Sequence, residues 1–336
     1  MVWNVDWQVF INGGDVSQSM RPYLTSLSAS DKEGTQSDTC DLTFSDTHGQ
    51  LRLPDRSALL GLSLQGVSVF NGMISGVTSS GSRSGGRMLK VSAKGFDDRG
   101  KVKEPQQFHM DDASLKAFLG EAATKAGLSG ISVDEDLASI TRDYWAADNE
   151  SFLHLGQRLA REMYATFKIR QDKAVFVPRG KDLGLPPVLG SANGGNVISW
   201  AISPTTGRND FTKIEVRYLD RETSRIETEA KSLDNDRGLP ASVNRIRTIA
   251  KDKDQAKQVA QSRKNEADDQ AGSGSVVIDI APHAQAEALF VLTGARAGVD
   301  GIYRIAGRTH TASRSSGART SLQLKQPKEG VGKDDR

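Results

Sequence analysis

Five histidines, a single cysteine and four groups of neighbouring carboxylates are the side chains from which catalysis or metal binding could be built in this sequence of 336 residues. His48, His109, His154, His283 and His310 are widely scattered. None has the spacing that sets two imidazoles on one helical face around a zinc ion, so no metal site is assigned. Asp97-Asp98, Asp134-Glu135-Asp136, Glu227 with Glu229, and Asp268-Asp269 offer paired carboxylates, which general acid and base work on a glycosidic bond requires. A working pair must flank a cleft, and neighbours on one backbone rarely do. Glycan hydrolysis is therefore the distant alternative, with no catalytic residue named. Cys40 lies in Thr39-Cys40-Asp41-Leu42-Thr43-Phe44, in the same inward phase as Leu42 and Phe44, and reads as a small core residue instead of a thiol nucleophile. As the sole cysteine it excludes an internal disulfide.

Gly81-Ser82-Arg83-Ser84-Gly85-Gly86 has the glycines of a phosphate cradle but lacks the Gly-Lys-Ser/Thr ending, and strands flank it on both sides. It predicts a hairpin tip, and no cofactor site is assigned. Arg217, Arg221 and Arg225 recur every four residues, yet Ile214, Val216 and Tyr218 alternate with period two, so these are solvated strand and turn arginines. His154 falls on the polar side of its helix, and His310 is expected to make a structural hydrogen bond near the closing strands.

The elements that hold these residues are easiest to read between Tyr144 and Gly180. Asn149 or Ser151 can supply an N-cap oxygen, and Phe152, Leu155, Leu159 and Met163 recur at helical spacing. Phe167 and Ile169 then alternate with Lys168 and Arg170. A Gln-Asp-Lys tip follows, and residues 174 to 177 return as a second strand. An earlier helix, capped by Asp111 or Asp112, carries Leu115, Phe118, Leu119, Ala122 and Ala126 on one face and stops at Gly127. At the start of the chain Trp3, Val5, Trp7, Val9 and Ile11 alternate with polar residues until the Gly13-Gly14-Asp15 turn.

The whole predicts a mainly β protein with an α/β insert. Residues 1 to 103 form one barrel-like region, with strands near 24 to 29, 40 to 44, 62 to 69, 73 to 77 and 89 to 93. Residues 104 to 180 form the helix-hairpin insert, 181 to 196 a linker rich in Pro and Gly, and 197 to 325 a second barrel-like region. That second region carries one surface helix at 252 to 268, and 326 to 336 is a mobile tail. Hydrophobic residues make up 37% and charged residues 26%, which fits a soluble globular chain. No run approaches the roughly 20 apolar residues of a membrane span, and residues 1 to 6 lack a basic start, which predicts a protein that stays in the cytoplasm where it is made. The net charge of +2 divides unevenly: residues 1 to 168 hold 17 Lys+Arg against 21 Asp+Glu, and residues 169 to 336 hold 27 against 21. This is far from the dense basic stripe of a nucleic-acid binder, which would show a steep salt dependence.

The order of an acidic-Ser-Phe-Leu opening at 150 to 153, the Arg-Leu-Ala helix and the closing Phe-Val-Pro-Arg-Gly strand resembles the late control gene D family of bacteriophage tail proteins. The resemblance extends to residues 24 to 46, Leu53-Pro54, Val91 to Asp98 and the helix from Asp111 to Leu128, and returns at Gly301 to Ile305, His310 and Ser321 to Leu324. Tyr164 departs from the pattern, which usually has Gly at that helix exit. The resemblance implies a structural baseplate hub without enzyme activity, located in the virion tail. It further implies a homotrimer whose two barrels per subunit present six to a hexameric tail tube and receive a trimeric central spike. Other baseplate proteins, and the tape measure protein, are further partners. The nearest alternative is the same hub in a tailocin or other contractile injection system. Partner-binding residues are not assigned individually.

Overall fold

The period-two pattern that opens the chain becomes the strand Trp7–Ile11, with Trp7 and Val9 buried. In this computed structural model, which describes residues 3–55, 57–83, 85–96, 100–204, 211–233, 242–269, 272–327 and 331–332, it belongs to a sheet of 13 strands. The protein is mostly β with few helices, as expected. Asp97-Asp98 and Ser84 lie outside the described residues, as do parts of the tail.

The expected pair of barrels is replaced by one continuous path. From Gly14–Asp15 it runs through Trp7–Ile11, Leu59–Leu64, Val67–Ser82, Gly86–Lys94, Thr39–Ser45 and Leu24–Lys32, then crosses into Gly301–Ser313, Gly317–Lys325, Ser273–Asp279 and Val197–Ser203. The crossing is the antiparallel register from Gly307 opposite Lys32 to Ser313 opposite Ser26. The strand Gly301–Ser313 is long enough to serve both regions. Its first residues pair with Leu289–Thr293, and its later ones with Leu24–Lys32. Its side chains divide accordingly, with Tyr303 and Ile305 in the core of residues 188 to 331 and Ala312 in that of residues 5 to 93. Among the described residues neither half closes into a barrel.

Three local expectations shift. Residues 62 to 69 are not one strand: Gln65 and Gly66, at φ 50° and 77°, form a two-residue turn between Leu59–Leu64 and Val67–Ser82. Two consecutive positive φ angles match the strand twist of a hairpin, and Gln in place of Asn or Gly hides the signal. The strand Val188–Ser191 interrupts the expected linker, pairing in parallel with Leu289–Thr293. In the tail, Gln326 accepts a hydrogen bond from Arg304, and Val331 bridges Gly298. Residues 213 to 269 also leave the large sheet. Lys213–Asp220, Arg225–Ser232 and Val243–Ala250 form their own three-stranded sheet. The helix Lys253–Asp269, one residue from its predicted bounds, covers it. Ala256 and Ala260 bury against Ile214, Val216 and Tyr218, which gives that sheet a core of its own.

Residues 105 to 178 combine the antiparallel pair Pro105–Ser114 and Thr141–Ser151 with the helices Leu115–Lys125 and Phe152–Glu162 and the sheet of Gly130–Val133, Ala165–Arg170 and Lys173–Pro178. Ser114 accepts from the Ala117 N–H at 3.2 Å, and Ser151 from the His154 N–H at 3.3 Å. The cap expected at Asp111 or Asp112 is therefore corrected to Ser114: Asp111 still pairs with Tyr144 in the strand, so the helix starts later. Asn149 is no cap either, since it sits at the bulge between Asp148 and Glu150. The expected hairpin and the Gly127 stop, at φ 74°, are present.

Gly156 shows how tightly this unit packs. A Cβ there would lie 2.4 Å from the Phe167 ring. Alanine favours a helix interior by about 1 kcal/mol, but forcing this ring aside costs about 1–3 kcal/mol. Gly156→Ala is thus expected to destabilise the protein despite the better helix former. A raised urea midpoint for the variant would contradict this packing.

Candidate assembly interface and its buried ionic junction

The residues singled out for chemistry do not converge. His48, His109, His154 and His283 are exposed at separate places, His154 on the polar side as predicted. Among the described residues no group of three or more His, Cys, Asp or Glu is arranged to hold a metal ion. Asp134 caps the short helix Glu135–Ala138 through the Asp136 N–H, and Lys181 sits 2.7 Å from both Asp134 and Asp136. Hydrogen bonds to those two carboxylates raise the Lys181 pKa to about 12. Glu227 accepts from the Tyr218 hydroxyl at 2.7 Å, while Glu229 is half-buried in the same strand. Arg217 and Arg225 are strand residues and Arg221 a turn residue, all exposed. Cys40 is buried, and burial pushes its thiol far above the reactive range. His310 makes its structural bond, Nδ1 to Thr320 Oγ1 at 2.9 Å.

What the fold does bring together is a buried ionic junction that no local pattern announced. Arg304, 1% exposed, reaches Glu33, Glu287 Oε2 at 2.8 Å, Asp269 Oδ2 at 2.6 Å and, through Nε, Gln326 Oε1 at 3.0 Å. Lys325 adds a second cation 3.0 Å from Glu33. Glu287 in turn accepts from the Thr166 hydroxyl at 2.9 Å and the Gly180 N–H at 3.2 Å. Five stretches of chain thus meet on one guanidinium, whose planar fork suits several carboxylates at once. Burial alone would lower the pKa of Arg304, but Glu287, Glu33 and Asp269 overcome it and hold it above its usual range. Burial likewise would raise Glu33, yet Arg304 and Lys325 hold it below normal.

Tyr164 borders this junction at the helix exit with φ 52°, the left-handed region where glycine is at ease. Burial and the neighbouring Asp269 push its phenol pKa up, and the Arg179 guanidinium stacks 5.2 Å from its ring. The backbone strain is balanced by a buried ring that glycine would lack. A second set of bonds joins the helix Phe152–Glu162 to the helix Lys253–Asp269. Arg142, over the Trp145 ring, donates to Glu162 at 2.7 Å and Gln258 at 3.3 Å, and Gln255 donates to Glu162 at 2.7 Å.

The surface offers a different feature. Val197–Ser203 ends the sheet path and, among the described residues, is paired only with Ser273–Asp279. It carries Ile198 and Trp200 in solvent, 55% and 43% exposed, beside Leu189 at 65%. Asn196 ties the neighbouring Val188–Ser191 strand to it by accepting from the Ser191 N–H at 3.0 Å and donating to Leu189 O at 2.9 Å. An edge with apolar side chains is a template for pairing with another chain.

Comparison with known proteins bears out the resemblance to tail baseplate hubs. No family model matches the chain. It is 25% identical over 216 residues to the probable baseplate hub protein of Escherichia phage 186, covering 62% of this chain and 54% of that protein. It is 23% identical over 222 residues to the probable baseplate hub protein of Escherichia phage P2, covering 64% and 56%. The chain therefore spans about half the length of the curated relatives it matches. In fold it is similar to a tail protein from Neisseria meningitidis MC58, with a TM-score of 0.72 at 14% identity over 97% of this chain and 98% of that one. It is also similar to the E. coli c3393 protein, a type VI secretion component, with a TM-score of 0.60 at 11% identity over 93% and 76%.

Proposed function

We propose that this chain is a structural hub of a phage tail baseplate, acting without catalysis as a homotrimeric collar between the tail tube and a central spike. The observation that carries the reading is its sequence relationship to two curated hub proteins, joined to a fold shared with tail proteins along almost its whole length. The shared sheet supplies the wall of the collar, residues 104 to 180 lie at its periphery, and the ionic junction keeps the parts in one arrangement. Ile198 and Trp200, on the edge strand, are the apolar anchors through which copies associate. Tryptophan concentrates binding energy because burying its large ring removes much apolar area from water.

A second reading, the same hub in a contractile injection system, is favoured by the fold likeness to the type VI component. Neighbouring genes for a capsid or for effectors separate the two.

Multi-angle light scattering of the purified chain is expected to give three times the chain mass. Trp200→Lys with Ile198→Lys should weaken self-association at least about tenfold, since two charges would enter an apolar contact. A strictly monomeric wild type at its highest soluble concentration would count against the collar, and an unchanged double variant against this edge.

A further inference from the structure

Beside the ionic junction, five charged side chains meet at one end of the N-terminal core. Lys168 binds Asp31 and, at 2.7 Å, Asp38. Arg170 lies 2.9 Å from Asp38 and 3.7 Å from Asp31. Two cations thus compensate two carboxylates. The fifth group, Arg308, has no ion pair among the described residues, although it is only 7% exposed. Its Nη1 donates to Ala29 O at 3.3 Å and its Nη2 to Val69 O at 2.7 Å, both neutral carbonyls, and Nε is buried without a partner. A buried guanidinium whose direct hydrogen bonds all go to neutral carbonyls is incompletely compensated by carboxylates that lie near it without pairing, and an anion bonded to it removes much of the remaining cost. Consistent with this, burial holds the Arg308 pKa below its usual range even with Asp31 and Asp38 nearby.

The same side chain lines a cavity of about 300 Å³, together with Asp31, Asp38, Asn71, Arg170, Gln171 and Gln285. That is at the small end of ligand pockets, roomy enough for one acidic group on a short stem and cramped for a nucleotide. We propose that this cavity binds a carboxylate, with Arg308 as the charge that recognises it and the amides of Gln171 and Gln285 at its wall. Charge selects the ligand: the cluster of three cations and two carboxylates carries one excess positive charge, which a single carboxylate neutralises. The carboxylate can belong to a free small acid or to an acidic side chain of another protein, and the two are told apart by access to the cavity.

The test uses the full chain at constant ionic strength, titrated by calorimetry with sodium acetate, with the capped tripeptide Ala-Glu-Ala and with its Gln counterpart. Acetate, the Glu peptide or both should bind saturably, and the Gln peptide should not. Binding of acetate identifies a small-acid site, and binding of the Glu peptide alone identifies a protein side chain. Arg308→Gln should lose affinity by about tenfold or more, as expected when a charge-assisted hydrogen bond is removed. Gln285→Trp, which fills the cavity from an exposed position and leaves Arg308 in place, should weaken binding as well. It carries the test if the first variant does not fold. No saturable binding in either acidic arm, or equal binding in a folded Arg308→Gln or Gln285→Trp protein, overturns the proposal.

Discussion

Arg304→Met is expected to destabilise this protein by about 3–5 kcal/mol, the cost of stripping the cation from a buried ion cluster. Methionine matches the volume, so the loss is electrostatic. Glu33, Asp269 and Glu287 would remain buried, with Lys325 able to answer only Glu33. Arg304→Lys should recover less than half, because one ammonium cannot span three carboxylates and Gln326 together. Urea unfolding measures both. The decisive comparison is the neutralised cluster, in which Arg304→Met is combined with Glu33→Gln, Asp269→Asn and Glu287→Gln. It should be more stable than Arg304→Met alone, since it strands no charge. Arg304→Met within about 1 kcal/mol of wild type would show that the junction does not hold the parts together.

Acidification from pH 6.5 is expected to cost this protein stability through one histidine. His310 is fully buried, with its Nδ1 on Thr320, whose hydroxyl oxygen also accepts from the Ala281 N–H. Burial, and then the nearby Arg308, drop its pKa from 6.5 to about 3, with Asp31 opposing weakly. The folded-state pKa lies below the unfolded one, so below pH 6.5 the unfolded chain takes up a proton that the folded chain refuses. Stability is complete above pH 6.5 and falls with pH at roughly 1.4 kcal/mol per unit. Between pH 6.5 and 4.5 this amounts to about 3 kcal/mol. Asp31, held near 2 against burial by Lys168, does not enter that window; its own contribution is lost only below about pH 4. His310→Gln should flatten the dependence between pH 6.5 and 4.5, measured by urea titration at several pH values. A variant with the wild-type slope would remove His310 as the cause.

Local chemistry made several elements legible. Ser151, Phe152, Leu155 and Leu159 specify a capped helix whatever surrounds them, and the 167 to 177 alternation specifies its hairpin. Cys40 followed its strand phase into the core. The hub resemblance rested on the order of these same segments. Missed elements had weak or displaced signals: Arg225–Ser232 has only Ile226 and Ala230 as apolar residues, Val188–Ser191 hides among prolines and glycines, and the Gln65-Gly66 turn uses an uncommon first residue.

By itself the sequence determined most of the segments that are helix or strand and which of their faces turn inward, because caps, turns and periodicity act between residues a few positions apart. The tertiary structure alone decided that the two β regions share one sheet, that residues 213 to 269 stand apart, and that Arg304 joins Glu33, Glu287 and Asp269 across 271, 17 and 35 positions. Such a junction leaves no period along the chain. Each carboxylate reads as an ordinary surface residue until folding removes water from around it and makes pairing with the guanidinium the only way to keep its charge.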